Sequence, residues 1–202
     1  MSLVIVDTGC ANLSSVKFAF ERLDIKAFIS ADPSKIASAD KVLIPGVGAA
    51  PYAMAQIKER GLLETLQNLS QPTLGICLGM QLLFDTLTEG ALNTEKLETQ
   101  GLGLIPGRVG PLDTKGAPSP HMGWNALNIR KKTSLVSGIN TGDYAYFVHS
   151  YAVPLGDYTV ASAAYGDEFS AIVQHENVMG CQFHPERSST IGAQILSNFA
   201  KS

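Results

Sequence analysis

The chain has 202 residues, of which 45% are hydrophobic and 16% charged, and its formal net charge is −3. This length and apolar content predict one compact domain that covers residues 1–202. Nucleic acid is an unfavourable partner for the chain, because phosphate binding requires a concentrated basic face and no run of lysine or arginine is longer than three residues.

The first apolar run, at residues 3–6, meets Asp7 without a basic lead, so it indicates a buried strand and not a signal peptide. The uncharged stretch at residues 42–57 is interrupted by prolines and glycines and is shorter than the ~20 continuous apolar residues that a membrane helix needs. We therefore expect a cytoplasmic protein without a membrane partner. Three scattered cysteines are too few for a disulfide framework.

The first half of the sequence alternates short apolar runs with helical patterns, which is typical of βα units that build a parallel sheet. The predicted strands are residues 3–6, 27–29, 42–44 and 72–76. Two predicted helices carry apolar stripes, one at Val16, Ala19, Phe20 and Leu23 and one at Met80, Leu83, Phe84 and Leu87. Further helices are predicted after the capping pair Asp32-Pro33 and at residues 51–58 and 62–69.

The second half changes character, since apolar or alternating runs indicate antiparallel strands at residues 144–153, 159–163, 169–174 and 178–183. Ile191, Ile195 and Phe199 predict a closing helix. The sequence therefore predicts a three-layer α/β fold. Its central sheet should be mixed but mostly parallel, with helices on both faces and an antiparallel extension in the second half.

The segment Gly75-Ile76-Cys77-Leu78-Gly79 has the form of a nucleophile elbow between a strand and a helix. A cysteine at a helix N-terminus meets partial positive charge and free N–H groups, which favour the thiolate. The alternative is a buried cysteine at the end of a strand, but the flanking glycines favour the nucleophile. Cys10 and Cys181 lack this setting, and we interpret both as structural. No second short-spaced ligand pair accompanies Cys181 and His184, so no metal is expected.

A cysteine nucleophile needs a general acid or base and a group that orients it. His184-Pro185-Glu186 supplies both, because proline favours extended backbone before it and residues two apart on an extended segment project to the same side. A solvent-facing histidine beside a loop carboxylate is the alternative. We interpret His149 as a packing residue of a strand, His121 as a loop residue and His175 as a residue of a hairpin turn.

An oxyanion hole requires N–H donors that point at the developing negative charge. The N–H of Leu78, directly after the nucleophile, is one candidate. The segment Pro45-Gly46-Val47-Gly48 is a second source, because its glycines allow unusual backbone conformations. Rotation of one peptide unit there would decide whether the Val47 N–H faces the site. We hypothesise that this N–H points away from the site in the free chain and turns toward it when a partner protein activates the chain.

Gly75-Ile76-Cys77-Leu78-Gly79-Met80-Gln81 together with Gln182-Phe183-His184-Pro185-Glu186 resembles the signature of the class I glutamine amidotransferases. Within that family, five further segments resemble the glutaminase subunits of imidazole glycerol phosphate synthases: residues 7–13, 45–48, 120–125, 146–151 and 184–188. These segments follow the order of the family along almost the whole chain.

The resemblance implies a glutaminase of histidine biosynthesis without a cofactor, in which Cys77, His184 and Glu186 form the catalytic triad and L-glutamine is the substrate. It implies an oxyanion hole at Val47 and Leu78. It assigns Gly48, Gln81, Ser150 and Tyr151 to substrate binding. The expected partner is a (β/α)₈-barrel cyclase, with which the chain forms a heterodimer through a surface that includes Asn12, Tyr146 and Arg187.

Three alternatives remain open at this level. The chain could be another stand-alone amidotransferase subunit, such as that of anthranilate, aminodeoxychorismate or pyridoxal phosphate synthesis. It could be a cysteine peptidase or thioesterase that uses the same triad. It could also be a non-catalytic binding module with a flavodoxin-like sheet, in which case Cys77 would be unreactive.

Overall fold

The computed structural model describes residues 2–90 and 98–202. The strands of this part of the chain are β1 (Leu3–Val6), β2 (Ala27–Ser30), β3 (Lys41–Gly46), β4 (Thr73–Cys77), β5 (Phe84–Leu87), β6 (Thr99–Gln100), β7 (Ile105–Pro111), β8 (His121–Ala126), β9 (Asn128–Ile129), β10 (Tyr144–His149), β11 (Tyr151–Ala152), β12 (Thr159–Tyr165), β13 (Asp167–His175) and β14 (Val178–Cys181). The helices are α1 (Leu13–Glu21), α2 (Pro33–Ala37), α3 (Ala50–Glu59), α4 (Leu63–Gln67), α5 (Leu78–Leu82) and α6 (Ser189–Lys201). Short 3₁₀ turns lie at Ser134–Val136 and Pro185–Arg187.

The main sheet of the described residues has the strand order β2-β1-β3-β4-β14-β13-β12-β9. The strands from β2 to β14 are parallel to their neighbours, whereas β13, β12 and β9 join antiparallel. The predicted mixed sheet with an antiparallel extension is therefore confirmed. Strand β14, from the end of the chain, lies beside β4 from its middle, and this pairing brings the two halves of the predicted site together.

Helices cover both faces of the parallel part of the sheet, as predicted. Because alternate side chains of a strand point to opposite faces, Leu3 and Ile5 pack in one apolar cluster with residues of α1 and α6. Val4 and Val6 pack in a second cluster with residues of α2, α3 and α4. None of the helices in the described residues is long and apolar enough to cross a membrane.

Two helix starts are set by side-chain caps. The Asn12 side chain accepts a hydrogen bond from the Ser15 N–H at 3.2 Å and caps α1. The Asp32 carboxylate accepts one from the Ser34 N–H at 2.9 Å and caps α2, in which Pro33 is the first residue. Each cap satisfies a backbone donor that has no partner within the helix. The predicted start at Asp32-Pro33 is confirmed.

The predicted helix through Met80, Leu83, Phe84 and Leu87 is wrong beyond its first turn. Helix α5 ends at Leu82, and the next residues form strand β5, which pairs with β7 and β6. The carbonyl groups of residues 82–84 accept hydrogen bonds from the N–H groups of residues 102–105, so they are occupied by a later segment and not by a continuing helix. The apolar stripe correctly marked buried positions, but the type of element was decided by that distant segment.

The run at residues 144–153 is also not one strand of the central sheet. It divides at Ser150 into β10, which pairs with β8 in a separate antiparallel ribbon, and β11, which pairs with β7. His121, predicted in a loop, is the first residue of β8 and is almost fully buried. The antiparallel pairing of the two strands places His121 opposite His149, which explains why this histidine is enclosed.

Candidate active site

Cys77 occupies a strained turn between β4 and α5. Its φ of 53° lies in the left-handed region that residues with a side chain rarely adopt. The flanking glycines permit this turn to pack tightly: a Cβ atom at Gly79 would lie 1.9 Å from the Ile44 carbonyl oxygen, and one at Gly75 would lie 2.7 Å from the backbone of Gly79. The structure therefore shows the strand–turn–helix geometry that the G-x-C-x-G pattern predicts.

His184 and Glu186 approach each other in the segment after β14. The His184 Nδ1 lies 2.8 Å from the Glu186 Oε1, and the two side chains are only 8% and 6% exposed. His184 is extended and the following proline starts a 3₁₀ turn, which is the backbone path that the H-P-E motif predicted.

Cys77 lines the same pocket as His184. Burial by itself lowers the pKa of His184, but the neighbouring Cys77 and Glu186 side chains outweigh it and raise the pKa to about 10. At neutral pH the ring is therefore an imidazolium between two acidic groups. Such a cation is suited to protonate a leaving group.

Ser188 holds the backbone of His184 in place, a role that the sequence did not suggest. Its buried hydroxyl donates to the His184 carbonyl oxygen at 2.7 Å and accepts from the Tyr146 N–H at 2.9 Å. The His184 N–H donates to the Tyr146 carbonyl oxygen at 3.0 Å. These three bonds tie the histidine to strand β10.

A pocket of about 330 Å³ opens beside Cys77. It brings together residues that the sequence analysis had proposed from four separate segments, and it adds several that it had not. The lining residues are Val47, Gly48, Cys77, Leu78, Gln81, Glu89, Pro120, Val148, His149, Ser150, Tyr151 and His184.

Val47 lies at this pocket, but its N–H is turned elsewhere. It donates to the Cys10 carbonyl oxygen at 2.9 Å, across the gap between β3 and the turn after β1. Gly48, the next residue, has a φ of +93°. The N–H of Val47, a predicted oxyanion donor, therefore does not point at Cys77, whereas Leu78 follows Cys77 as the first residue of α5.

Gln81 and Gln182 connect Cys77 to Tyr151 across the pocket. The Gln81 Nε2 donates to the Tyr151 carbonyl oxygen and to the Gln182 Oε1, both at 2.9 Å. The Gln182 Nε2 donates in turn to the Cys77 Sγ at 3.8 Å. Sequence reasoning gave Gln182 no role, although a polar residue in an otherwise apolar strand end is a signal that could have found it.

Glu89 was also missed. Among the described residues that line the pocket it is the one carboxylate, and its Oε2 accepts a hydrogen bond from the Ala50 N–H at 2.8 Å. It follows β5, which the sequence analysis had assigned to a helix, so its position could not be derived.

The three residues predicted for a partner surface lie outside the pocket. The Arg187 side chain is exposed and its guanidinium carbon lies 5.6 Å from the centre of the Tyr146 ring, while Asn12 caps α1. Within the described residues, no group of three His, Cys, Asp or Glu side chains is placed to hold a metal ion.

Comparison with known proteins gives a consistent family. The model for "Glutamine amidotransferase class-I" matches residues 5–202. A Colwellia psychrerythraea protein named imidazole glycerol phosphate synthase subunit HisH is 50% identical over 208 residues, with 97% of this chain and 91% of the relative covered. A Vibrio cholerae protein of the same name is 50% identical over 198 residues, with 98% and 97% covered.

Solved structures show the same fold at low identity. One described as a glutamine amidotransferase has a TM-score of 0.72 at 18% identity, and covers 98% of this chain and 97% of its own. The structure of PurLQS from Thermotoga maritima has a TM-score of 0.66 at 18% identity, with 99% and 97% covered. At such identities the likeness concerns the fold alone.

Proposed function

This chain belongs to the class-I glutamine amidotransferases and, within them, to the HisH subunits of imidazole glycerol phosphate synthase, and we propose that Cys77, His184 and Glu186 are its glutaminase triad. The observation that carries the proposal is that Cys77 from β4 and His184 from the segment after β14 line one pocket, with the Glu186 Oε1 2.8 Å from the His184 Nδ1. As a HisH subunit, the chain acts in histidine biosynthesis.

The reaction begins with attack of the Cys77 thiolate on the side-chain carboxamide carbon of L-glutamine. The oxygen of the tetrahedral intermediate accepts hydrogen bonds from the N–H groups of Leu78 and, once it has turned, Val47. His184 donates its proton to the amide nitrogen, and the C–N bond breaks to release ammonia. A glutamyl thioester on Cys77 remains.

Hydrolysis of the thioester uses the same groups in the opposite sense. The now neutral His184 accepts a proton from water, and the hydroxide that forms attacks the thioester carbon. The C–S bond breaks, which releases glutamate and restores the Cys77 thiolate and the His184 imidazolium. Glu186 accepts the hydrogen bond from Nδ1 throughout, and it stabilises the charged ring.

The amino-acid end of glutamine is proposed to bind on the far side of the pocket. Gly48, Gln81, Ser150 and Tyr151 all line the pocket, and we assign this end of the substrate to them. The α-ammonium group of glutamine needs an anionic partner. The Glu89 carboxylate lines the pocket and has the required negative charge.

The ammonia is proposed to pass to a (β/α)₈-barrel cyclase that docks as a heterodimer partner. The exposed side chains of Met122 and Trp124 lie on the same ribbon as Tyr146, and the Tyr146 ring lies 5.6 Å from the Arg187 guanidinium carbon. Aromatic, methionine and arginine side chains are enriched at protein interfaces. We propose this ribbon, with Asn12, as the docking surface. A cytoplasmic location and a single-domain organisation over residues 1–202 are parts of the same proposal.

The test is glutamate release from glutamine with and without the cyclase and its nucleotide substrate. Cys77→Ala is expected to abolish glutamine-dependent synthesis by the complex and to leave synthesis from ammonium salts intact, because only the ammonia source is lost. Cys181→Ala is the matched control, since burial raises the pKa of the Cys181 thiol well above its usual range and keeps it unreactive. Glutamine hydrolysis by Cys77→Ala within about tenfold of wild type, a barrier change of only ~1.4 kcal/mol, would contradict the covalent mechanism.

A further inference from the structure

Two buried histidines outside the triad form a pair across the β8–β10 ribbon. His121 and His149 lie opposite each other in the strand register, and their side chains are 2% and 6% exposed. The His121 Nδ1 lies 2.9 Å from the His149 Nε2. A hydrogen bond between two imidazoles requires one ring to donate and the other to accept.

The direction of this hydrogen bond is determined from one end by Tyr151. The His149 Nδ1 lies 2.9 Å from the Tyr151 carbonyl oxygen. Because a carbonyl oxygen only accepts, the His149 Nδ1 carries the proton. The His149 Nε2 is then an acceptor, and the His121 Nδ1 donates to it.

The other end requires the same direction independently. The Asn125 side-chain amide is oriented by two backbone groups: its Oδ1 accepts from the Ala126 N–H and its Nδ2 donates to the Ala164 carbonyl oxygen, both at 2.8 Å. The Nδ2 also lies 3.3 Å from the His121 Nε2. This ring nitrogen therefore accepts, so the His121 proton is again on Nδ1.

The surroundings leave no place for a further proton on either ring. His121 stacks between Tyr165 and Phe147, with centroid distances of 4.2 and 5.0 Å, and His149 packs against the edge of Phe169 at 4.8 Å. Burial lowers the pKa of both histidines to about 4. Both rings are therefore neutral at pH 7, as the hydrogen-bond directions require.

The hydrogen bonds that run from His121 through His149 end at the carbonyl oxygen of Tyr151, a residue that lines the substrate pocket. The Tyr151 carbonyl oxygen accepts from His149 and also from the Gln81 Nε2, each at 2.9 Å. Gln81, His149 and Tyr151 all line the pocket. We propose that His149, supported by His121, is a positioning residue that holds the Tyr151 backbone and the Gln81 amide in the geometry that binds the amino-acid end of glutamine. This inference rests on the proposed glutaminase function.

Two substitutions at one position separate this role from packing. His149→Asn keeps an N–H donor near the place of Nδ1 and removes the acceptor for His121. His149→Gln keeps an amide near the place of Nε2 and removes the donor to Tyr151. Both variants disturb the same buried site, so a role in packing alone predicts similar effects of the two on activity. His175→Gln, at the exposed last residue of β13, is the control.

The experiment measures glutamate release by the complex with its cyclase at varied glutamine concentration, together with the melting temperature of each variant. We expect His149→Gln to raise the KM for glutamine about tenfold with kcat within about twofold, because a binding contact common to ground and transition states is loosened. His149→Asn should keep a KM close to that of wild type despite a lower melting temperature. The nitrogen-15 spectrum of the wild-type imidazoles should show both protons on Nδ1.

An unchanged KM in His149→Gln, equal KM changes in both variants, or a proton on the His149 Nε2 would each overturn the inference. A wild-type complex that releases no glutamate would overturn the proposed function and this role with it. Wild-type activity combined with any of the first three results would overturn the role of the histidine pair alone.

Discussion

The hydrogen bond from the Val47 N–H to the Cys10 carbonyl oxygen gives the proposed oxyanion switch a direct test. In the structure this N–H is 2.9 Å from Cys10 and is not available to an oxyanion at Cys77. Val47→Pro removes the N–H altogether. If the N–H is used only after docking of the partner, its removal should affect the stimulated reaction and spare the basal one.

The magnitude follows from what the donor does in each state. Removal of one oxyanion donor lowers kcat by about 10²–10³, or about 2.7–4 kcal/mol of transition-state stabilisation. We expect that loss in the complex with cyclase and nucleotide. In the free chain the basal rate should change by less than about threefold. The lost bond to Cys10 should cost about 0.5–1.5 kcal/mol of stability, the usual net contribution of one hydrogen bond.

The assay is glutamate release by the free chain and by the activated complex, for wild type, Val47→Pro and Val47→Ala. The alanine variant is the matched control, because it keeps the N–H and removes only a side chain that is 44% exposed. Equal losses in the free and activated states of Val47→Pro would refute the switch. Full stimulated activity in that variant would refute the assignment of Val47 as a donor.

Two further predictions concern the rim of the site and its charge. Arg187→Ala should weaken cyclase binding about tenfold, because the Arg187 side chain is exposed and lies over the Tyr146 ring on the proposed docking surface. An unchanged Kd in calorimetry would show that Arg187 is not part of that surface. The raised pKa of His184 adds stability that is fully present below pH 6.5 and is lost as pH rises through about 10. The free energy of unfolding should therefore fall as the pH rises across this range. It should fall less steeply in Glu186→Gln, because that variant lacks one cause of the raised pKa. Denaturant unfolding at several pH values measures both slopes, and equal slopes in the two proteins would contradict the prediction.

Local sequence was sufficient to predict those parts of the candidate site that are formed by residues close together in the chain. The elbow at Cys77 requires glycine on both sides, because a Cβ atom at Gly79 would meet the backbone of β3 and one at Gly75 would meet the backbone of Gly79. His184 and Glu186 meet because they are two residues apart across a proline. Strands β1, β3 and β4 could likewise be predicted from the sequence, because short apolar runs between turn signals are typical of buried strands in a parallel sheet.

Tertiary structure decided the identity of elements whose backbone groups find partners far along the chain. Phe84 has the spacing of a helix, yet β5 forms because residues 102–105 bind the carbonyl groups that a helix would need. An apolar pattern reports which side chains are buried, but not which segment takes the backbone hydrogen bonds.

The same reason explains the residues that sequence reasoning missed or misplaced. Glu89 reaches the pocket only because β5 replaces the predicted helix, and Gln182 touches Cys77 only because β14 pairs with β4. His121 looked like a loop residue until the ribbon placed it opposite His149. The sequence by itself determined which groups can do the chemistry, because reactivity and tight turns are local. The pairing of distant strands decided which polar groups surround them, because hydrogen bonds between such strands depend on the whole fold.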